Sequence, residues 1–176
     1  MTGPMWNMIS YLRIRALDFT IVGAFVAVGF LHPAPASALT REEFNWCLNE
    51  NDTVAPVLQI KGCTALIQSG QLSGKKLVPV YIKRGDAYRA ENNYDRAIAE
   101  YSQAIKIDPT SVLSYFNRGI AFGAMKNYDR AIADYNEAIR LYPKYAPSYH
   151  NRGFVYNERK DYKRAIADYN EAIRLD

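Results

Sequence analysis

An all-α solenoid of antiparallel helix pairs is the fold class this sequence predicts, and three observations carry the prediction. The second half of the chain repeats itself at a fixed step. Small and aromatic residues fall at helical spacing inside each copy. Asp and Pro recur where one helix of each pair would begin and end.

The step is 34 residues. Tyr81, Tyr115 and Tyr149 are related by it, as are Gly85, Gly119 and Gly153. So are Tyr94, Tyr128 and Tyr162; Ala97, Ala131 and Ala165; Tyr101, Tyr135 and Tyr169; and Ala104, Ala138 and Ala172. Arg130–Leu141 and Arg164–Leu175 are the same twelve residues, RAIADYNEAIRL. A period of this length marks a stacked-repeat architecture, in which a single copy buries too little to fold alone and neighbours supply the core.

Within a copy, Tyr115, Gly119 and Phe122 share one helical face at i, i+4 and i+7. Gly119 has no side chain, so a second helix can approach closely there. Ala131, Tyr135 and Ala138 form the matching stripe on that second helix, and small residues interlock with large rings. Asp95 and Asp129 stand where an N-cap would open the second helix, and Pro109 and Pro143 where it must stop.

On these residues the chain resembles a tetratricopeptide-repeat protein, with units at 78–111, 112–145 and 146–176. The resemblance implies a right-handed superhelical solenoid of three TPR units. One departure stands out: where the family usually has Leu just before the Gly, this chain has Arg84, Arg118 and Arg152. Glu100, Asp134 and Asp168 repeat in step with them, and each Arg is expected to pair with the acid on its second helix.

Residues 39–76 are not a standard repeat. Thr40-Arg41-Glu42-Glu43 reads as a capping box opening a short helix through about Glu50. Asn51-Asp52-Thr53 reads as a turn and new N-cap, with Pro56 early in a second helix. Val57, Ile60, Cys63 or Thr64, and Ile67 then make a helical stripe ending near Gly70. An irregular helix pair is expected, with a linker from Ser69 to Lys76.

Residues 1–38 read as a signal peptide: Arg13 and Arg15, an apolar run at Phe19–Leu31, then His32-Pro33-Ala34-Pro35 and Ala36-Ser37-Ala38. The apolar run of 13 residues falls short of a bilayer span, which needs about 20. Cleavage is expected between Ala38 and Leu39, with Met5 and Met8 as alternative starts, and the product exported, periplasmic or secreted. The alternative is an uncleaved inner-membrane anchor over residues 16–31, against which Asp18 weighs. Either way residues 39 onward are delivered outside the cytoplasm. In an oxidising compartment the two cysteines, Cys47 and Cys63, are most simply a disulfide. Two buried free thiols, or a redox or metal role, are the alternatives; a redox centre more often shows C-x-x-C, and zinc would need two further ligands.

Composition excludes several function classes. Hydrophobic residues make up 49% of the chain and charged residues 23%, which argues for a folded protein. The net charge of +4 is mild, and Lys and Arg interleave with Asp and Glu instead of gathering into a nucleic-acid patch. Only two His exist, His32 and His150, too few for a Cys–His–acid set or a metal quartet. No Ser sits in a nucleophile-elbow context. Gly70-Gln71-Leu72-Ser73-Gly74-Lys75-Lys76 fails as a phosphate loop, because its glycines are too close and no Ser or Thr follows the Lys. No catalysis, cofactor or metal is expected.

The family resemblance implies instead a concave groove lined by the first helix of each unit. Carried onto matching positions, it presents Lys83, Asp86 and Arg89, then Phe116, Asn117 and Ile120, then His150, Asn151 and Phe154. Asn117 and Asn151 occupy equivalent positions. An Asn amide donates and accepts, so it can clamp a bound main chain; capping local backbone or facing water is the other reading. A family variant that grips a terminal carboxylate would need Lys, Asn and Arg at Ile82, Asp86, Asn117, Pro147 and Asn151; only Asn117 fits, which excludes that ligand. The expected function is a non-catalytic module binding a peptide or partner protein. The runner-up is a structural protein that self-associates into a homo-oligomer through the final helix, since unit three stops at Asp176 without a closing Pro or a capping helix. A partner at that end, or a sequence cut from a longer gene, would also account for the stop. A third reading is an accessory subunit held at the membrane by its amino-terminal helix.

Overall fold

The computed structural model describes residues 39–49 and 53–176. The export signal and anchor expected over residues 1–38, and the turn at Asn51-Asp52, lie outside them. Eight helices run in order among the described residues: α1 (Arg41–Leu48), α2 (Pro56–Gln68), α3 (Val78–Ala90), α4 (Tyr94–Ile107), α5 (Val112–Ala124), α6 (Tyr128–Leu141), α7 (Ala146–Glu158) and α8 (Tyr162–Leu175). A turn of 3₁₀ helix at Gly74–Leu77 leads into α3.

Consecutive helices pack as pairs, α1 on α2, α3 on α4, α5 on α6 and α7 on α8, and each pair is joined to the next through α2–α3, α4–α5 and α6–α7. The first helices also approach one another, α3 near α5 and α5 near α7. They therefore line the inner side of an all-α solenoid.

The glycines act as their spacing suggests. A Cβ on Gly85 would lie 2.6 Å from the Tyr101 ring, and one on Gly119 would lie 2.7 Å from Tyr135. Both rings are buried, Tyr101 at 0% and Tyr135 at 2% exposure, so neither can step aside. Gly119→Ala is expected to cost about 1–3 kcal/mol through overpacking, against the gain in helix propensity that alanine normally brings. Urea denaturation reads this directly, and equal or higher stability would contradict the packing account.

Arginines tie the pairs together. Arg84 Nε donates to Glu100 (2.9 Å), while Arg118 and Arg152 grip Asp134 and Asp168 with two donors each at 2.7–2.8 Å. The remaining nitrogen of each reaches back to the preceding pair: Arg84 Nη1 to Thr64 Oγ1 (3.0 Å), Arg118 Nη1 to Ser102 Oγ (3.0 Å) and Arg152 Nη1 to Asn136 Oδ1 (2.6 Å). Each guanidinium also lies over the ring three residues earlier, Tyr81, Tyr115 or Tyr149, at 5.5–5.7 Å. One side chain thus joins three helices, which is what the departure from Leu provides.

The starts of the second helices differ from expectation. Asp95 and Asp129 are not N-caps; they sit inside the first turn, and the caps are Asn93, Asn127 and Asp161. Asn93 accepts from the Arg96 amide (3.3 Å) and Asp161 from the Arg164 amide (3.2 Å). An acid in the first turn still favours the helix, through the dipole. The first helices all close in the same way. Asn92, Lys126 and Lys160 take left-handed φ of 58°, 58° and 61°. The next amide in each case bonds back to Tyr88, Phe122 or Tyr156. That is a Schellman turn, whose left-handed position suits Gly. Lys126→Gly is expected to raise stability by about 1 kcal/mol by relieving that position. An unchanged or lower melting temperature would contradict it.

The first pair is shorter and differently faced. The capping box at Thr40 and Glu43 forms, and α1 ends at Leu48, capped by Asn49 in a left-handed conformation. The N-cap of α2 is Ala55, with Pro56 at the first helical position, so Thr53 stays outside. The buried face of α2 is Gln59, Gly62, Cys63 and Leu66, whereas Val57 is 63% exposed. The crossing sets this face: a Cβ on Gly62 would run into the Glu43 carbonyl oxygen. Cys47 and Cys63 are buried beside it at disulfide distance, S–S 2.10 Å and Cα–Cα 4.5 Å. The Gln59 amide donates to the Cys47 carbonyl (3.4 Å), which satisfies a buried polar side chain.

Candidate binding groove

The inner side carries a polar cluster where units one and two meet. Asp86, on α3, accepts from the Tyr101 hydroxyl at 2.8 Å and from Asn117 Nδ2 on α5 at 3.1 Å. Arg89, one turn on along α3, lies 3.5 Å from the same carboxylate. Burial pushes the Asp86 carboxyl above its ordinary range, with the Tyr101 hydroxyl and Arg89 opposing that shift. Burial, and then the neighbouring Asp86 carboxylate, raise the Tyr101 hydroxyl strongly, so it stays protonated as a fixed donor. Arg89 Nε is buried without a hydrogen-bond partner, while the side chain as a whole is 37% exposed. Lys83 stands half-buried on the same helix and acts on Asp86 through its charge.

Next to this cluster the groove turns apolar. Phe116 packs edge-on against Tyr145 at 5.2 Å and lies 6.1 Å from Tyr135. Ile120 joins the same hydrophobic cluster. In unit three, His150 is exposed with its ring 5.5 Å from Tyr169, and Phe154 is 52% exposed. Asn151 donates its amide to the Pro147 carbonyl of its own helix (2.9 Å).

The equivalent asparagines therefore differ in partner. Asn117 spends its amide on Asp86 and Asn151 on local backbone, and among the described residues no donor reaches either Oδ1. Each can offer an acceptor to a ligand N–H. Asp86, Arg89 and Asn117 come together; His150, Asn151 and Phe154 form a separate patch one unit along. Sequence reasoning missed Tyr101 and Tyr145. The signal for Tyr101 was present, since all three second-helix rings are Tyr and not Phe, and a buried hydroxyl needs a partner. Among the described residues, no three His, Cys, Asp or Glu side chains gather in metal-binding geometry. No helix there is long and apolar enough to cross a membrane.

A family model described as tetratricopeptide repeat matches residues 112–145 and 146–176, and a second, described as TPR repeat, matches 85–126. Together they span 85–176, more than half of the sequence. The chain belongs to the tetratricopeptide-repeat family. Among solved structures, this TPR chain is similar to the crystal structure of MamA, with 19% identity, 72% of this chain and 71% of that one covered, and a TM-score of 0.64. That likeness speaks to fold alone. The second TPR of Spaghetti (RPAP3), bound to the HSP90 peptide SRMEEVD, shares 26% identity over 58% of this chain and 94% of its own, with a TM-score of 0.56. The Arabidopsis OM64 TPR domain shares 26% identity over 59% and 86%, with a TM-score of 0.58. Comparison with curated protein sequences finds no match.

Proposed function

We propose that this TPR chain is a non-catalytic interaction module that holds a peptide or partner protein along the inner side of α3, α5 and α7. The observation that carries this reading is the groove cluster of Asp86, Arg89, Tyr101 and Asn117 beside Phe116 and Ile120. A partly exposed arginine and amide carbonyl oxygens offered next to an apolar shelf suit an extended peptide, whose main chain supplies both N–H and C=O groups. RPAP3 binds an HSP90 peptide in its own structure. In this chain Ile82, Asp86 and Pro147 occupy clamp positions that would need Lys or Asn for a terminal carboxylate, so the ligand is of another kind. We further propose that residues 1–38 direct export, which places the groove in the cell envelope.

The test is capture from an envelope fraction by the full chain and by an Asn117→Ala/Asn151→Ala double variant, with light scattering on both. A monomer whose captured partner is lost in the double variant supports groove binding. A stable oligomer that captures the same proteins with or without the two asparagines would overturn it in favour of self-assembly.

A further inference from the structure

Units one and two differ where the second-helix tyrosine meets the groove. In unit one the Tyr101 hydroxyl donates to Asp86 at 2.8 Å. One repeat along, Ile120 stands at the Asp86 register and Gly123 at the Arg89 register. An isoleucine side chain accepts nothing, and among the described residues the Tyr135 hydroxyl has no hydrogen-bond partner. Tyr135 is 2% exposed with its ring packed on Gly119, so the hydroxyl is held in place and cannot swing away to find one. An unsatisfied hydroxyl at such a site is unfavourable, and a ligand acceptor would relieve it.

Space and charge converge on that hydroxyl. A Cβ on Gly123 would meet nothing closer than Val155 at 3.9 Å and the Tyr135 hydroxyl at 4.0 Å, which leaves room beside the hydroxyl for a ligand atom. Burial and the Asp134 carboxylate raise the Tyr135 hydroxyl, so it stays protonated as a donor, and Arg89 of α3 lies near enough for its charge to oppose them. Arg89 Nε lacks a partner of its own. The carboxylate of this cluster, Asp86, is already met by Tyr101, Asn117 and Arg89, and Lys83 adds a second cation beside it. What stands unmatched is a fixed hydroxyl donor and positive charge, with Phe116 and Ile120 as apolar neighbours. A negatively charged acceptor answers both.

We propose that the space beside Tyr135 takes an Asp or Glu side chain of a bound peptide, whose carboxylate accepts from the Tyr135 hydroxyl and from Arg89. It supplies to unit two what Asp86 supplies to unit one. This site rests on the reading of the inner side as a peptide groove, and it gives the ligand a chemical class: a segment with an internal acidic residue flanked by apolar side chains that lie over Phe116 and Ile120.

The probe is a phage-displayed library of random peptides selected on the full chain, with the peptide carboxyl ends fused to coat protein so that only side-chain carboxylates are offered. Enrichment of Asp or Glu at one position beside apolar residues is expected. A selected peptide, amidated and fluorescein-labelled, is then titrated by anisotropy. Replacing its acid with the matching amide should weaken binding to the parent roughly tenfold or more, as loss of a hydrogen bond to a charged group does. On Tyr135→Phe/Arg89→Gln the same replacement should cost less than about twofold, because the groups it pairs with are gone. Phenylalanine keeps the ring against Gly119, so this variant should unfold in urea close to the parent. No acidic enrichment, or an amide replacement that costs the same on both proteins, would overturn the acidic site; binding still lost in Asn117→Ala/Asn151→Ala would then leave the groove standing. Selected peptides indifferent to all four substitutions would overturn the site and the groove together.

Discussion

Arg118→Ala is expected to cost about 3–5 kcal/mol, the usual penalty for breaking a buried ion pair by removing one partner. Three hydrogen bonds vanish, two to Asp134 and one to Ser102. Asp134 is only 5% exposed, so its carboxyl group is left without its ion-pair partner in the joint between α5 and α6. The loss also cuts the bond from unit two back to unit one. Because repeat arrays can fray by unit, the effect is best read by hydrogen exchange along the chain as well as by urea denaturation. A double variant, Arg118→Leu/Asp134→Leu, is expected to recover most of the loss, since replacing both charges with apolar groups removes the stranded carboxyl group. An Arg118→Ala protein as stable as the parent would show that the arginine ladder is incidental to stability.

Reduction of Cys47–Cys63 is expected to remove about 3 kcal/mol of local stability, by restoring loop-closure entropy to the unfolded first pair. The two cysteines are 16 residues apart, and α1 has eight residues with only one fully buried side chain, Cys47. Beside the bridge, that pair is held by the small core of Leu66, Leu72 and Val80 with Leu39 and Phe44 against it. The consequence is directional: α1 and α2 should lose amide protection while α5 to α8 keep theirs. Helix α3 should be partly affected, because Val80 shares the first core cluster and Arg84 leans on Thr64. Cys47→Ser/Cys63→Ser measured against the oxidised protein checks this. Equal protection in α1 with and without the bridge would contradict it.

Much of the fold was legible because repetition multiplies a weak signal. One glycine opposite one tyrosine is ambiguous; three pairs at a fixed step leave little choice, and Gly85 and Gly119 do stand against Tyr101 and Tyr135. The Arg–acid pairing was readable for the same reason. The misread cap shows the limit. Asp95 and Asp129 looked like caps by residue type, yet unit three held the answer, with Lys163 at that register and Asp161 two residues earlier. On α2 only one copy exists. There the face was chosen by hydrophobicity, while the close backbone crossing at Gly62 turned Gln59 inward and Val57 outward. The contacts of the residues expected to line the groove were not legible. The sequence leaves Asn117 either to clamp a bound main chain or to cap backbone or face water, and its amide is taken by Asp86, a contact across units that no local pattern reports.

The most direct test of the groove as a binding surface is hydrogen exchange of the full chain with and without its captured partner. New protection is expected along α3 and α5 around Asp86, Arg89 and Asn117, continuing to Asn151 on α7. Protection confined to α8, or to the outer faces of α4 and α6, would contradict groove binding and move the interaction site to another face of the solenoid.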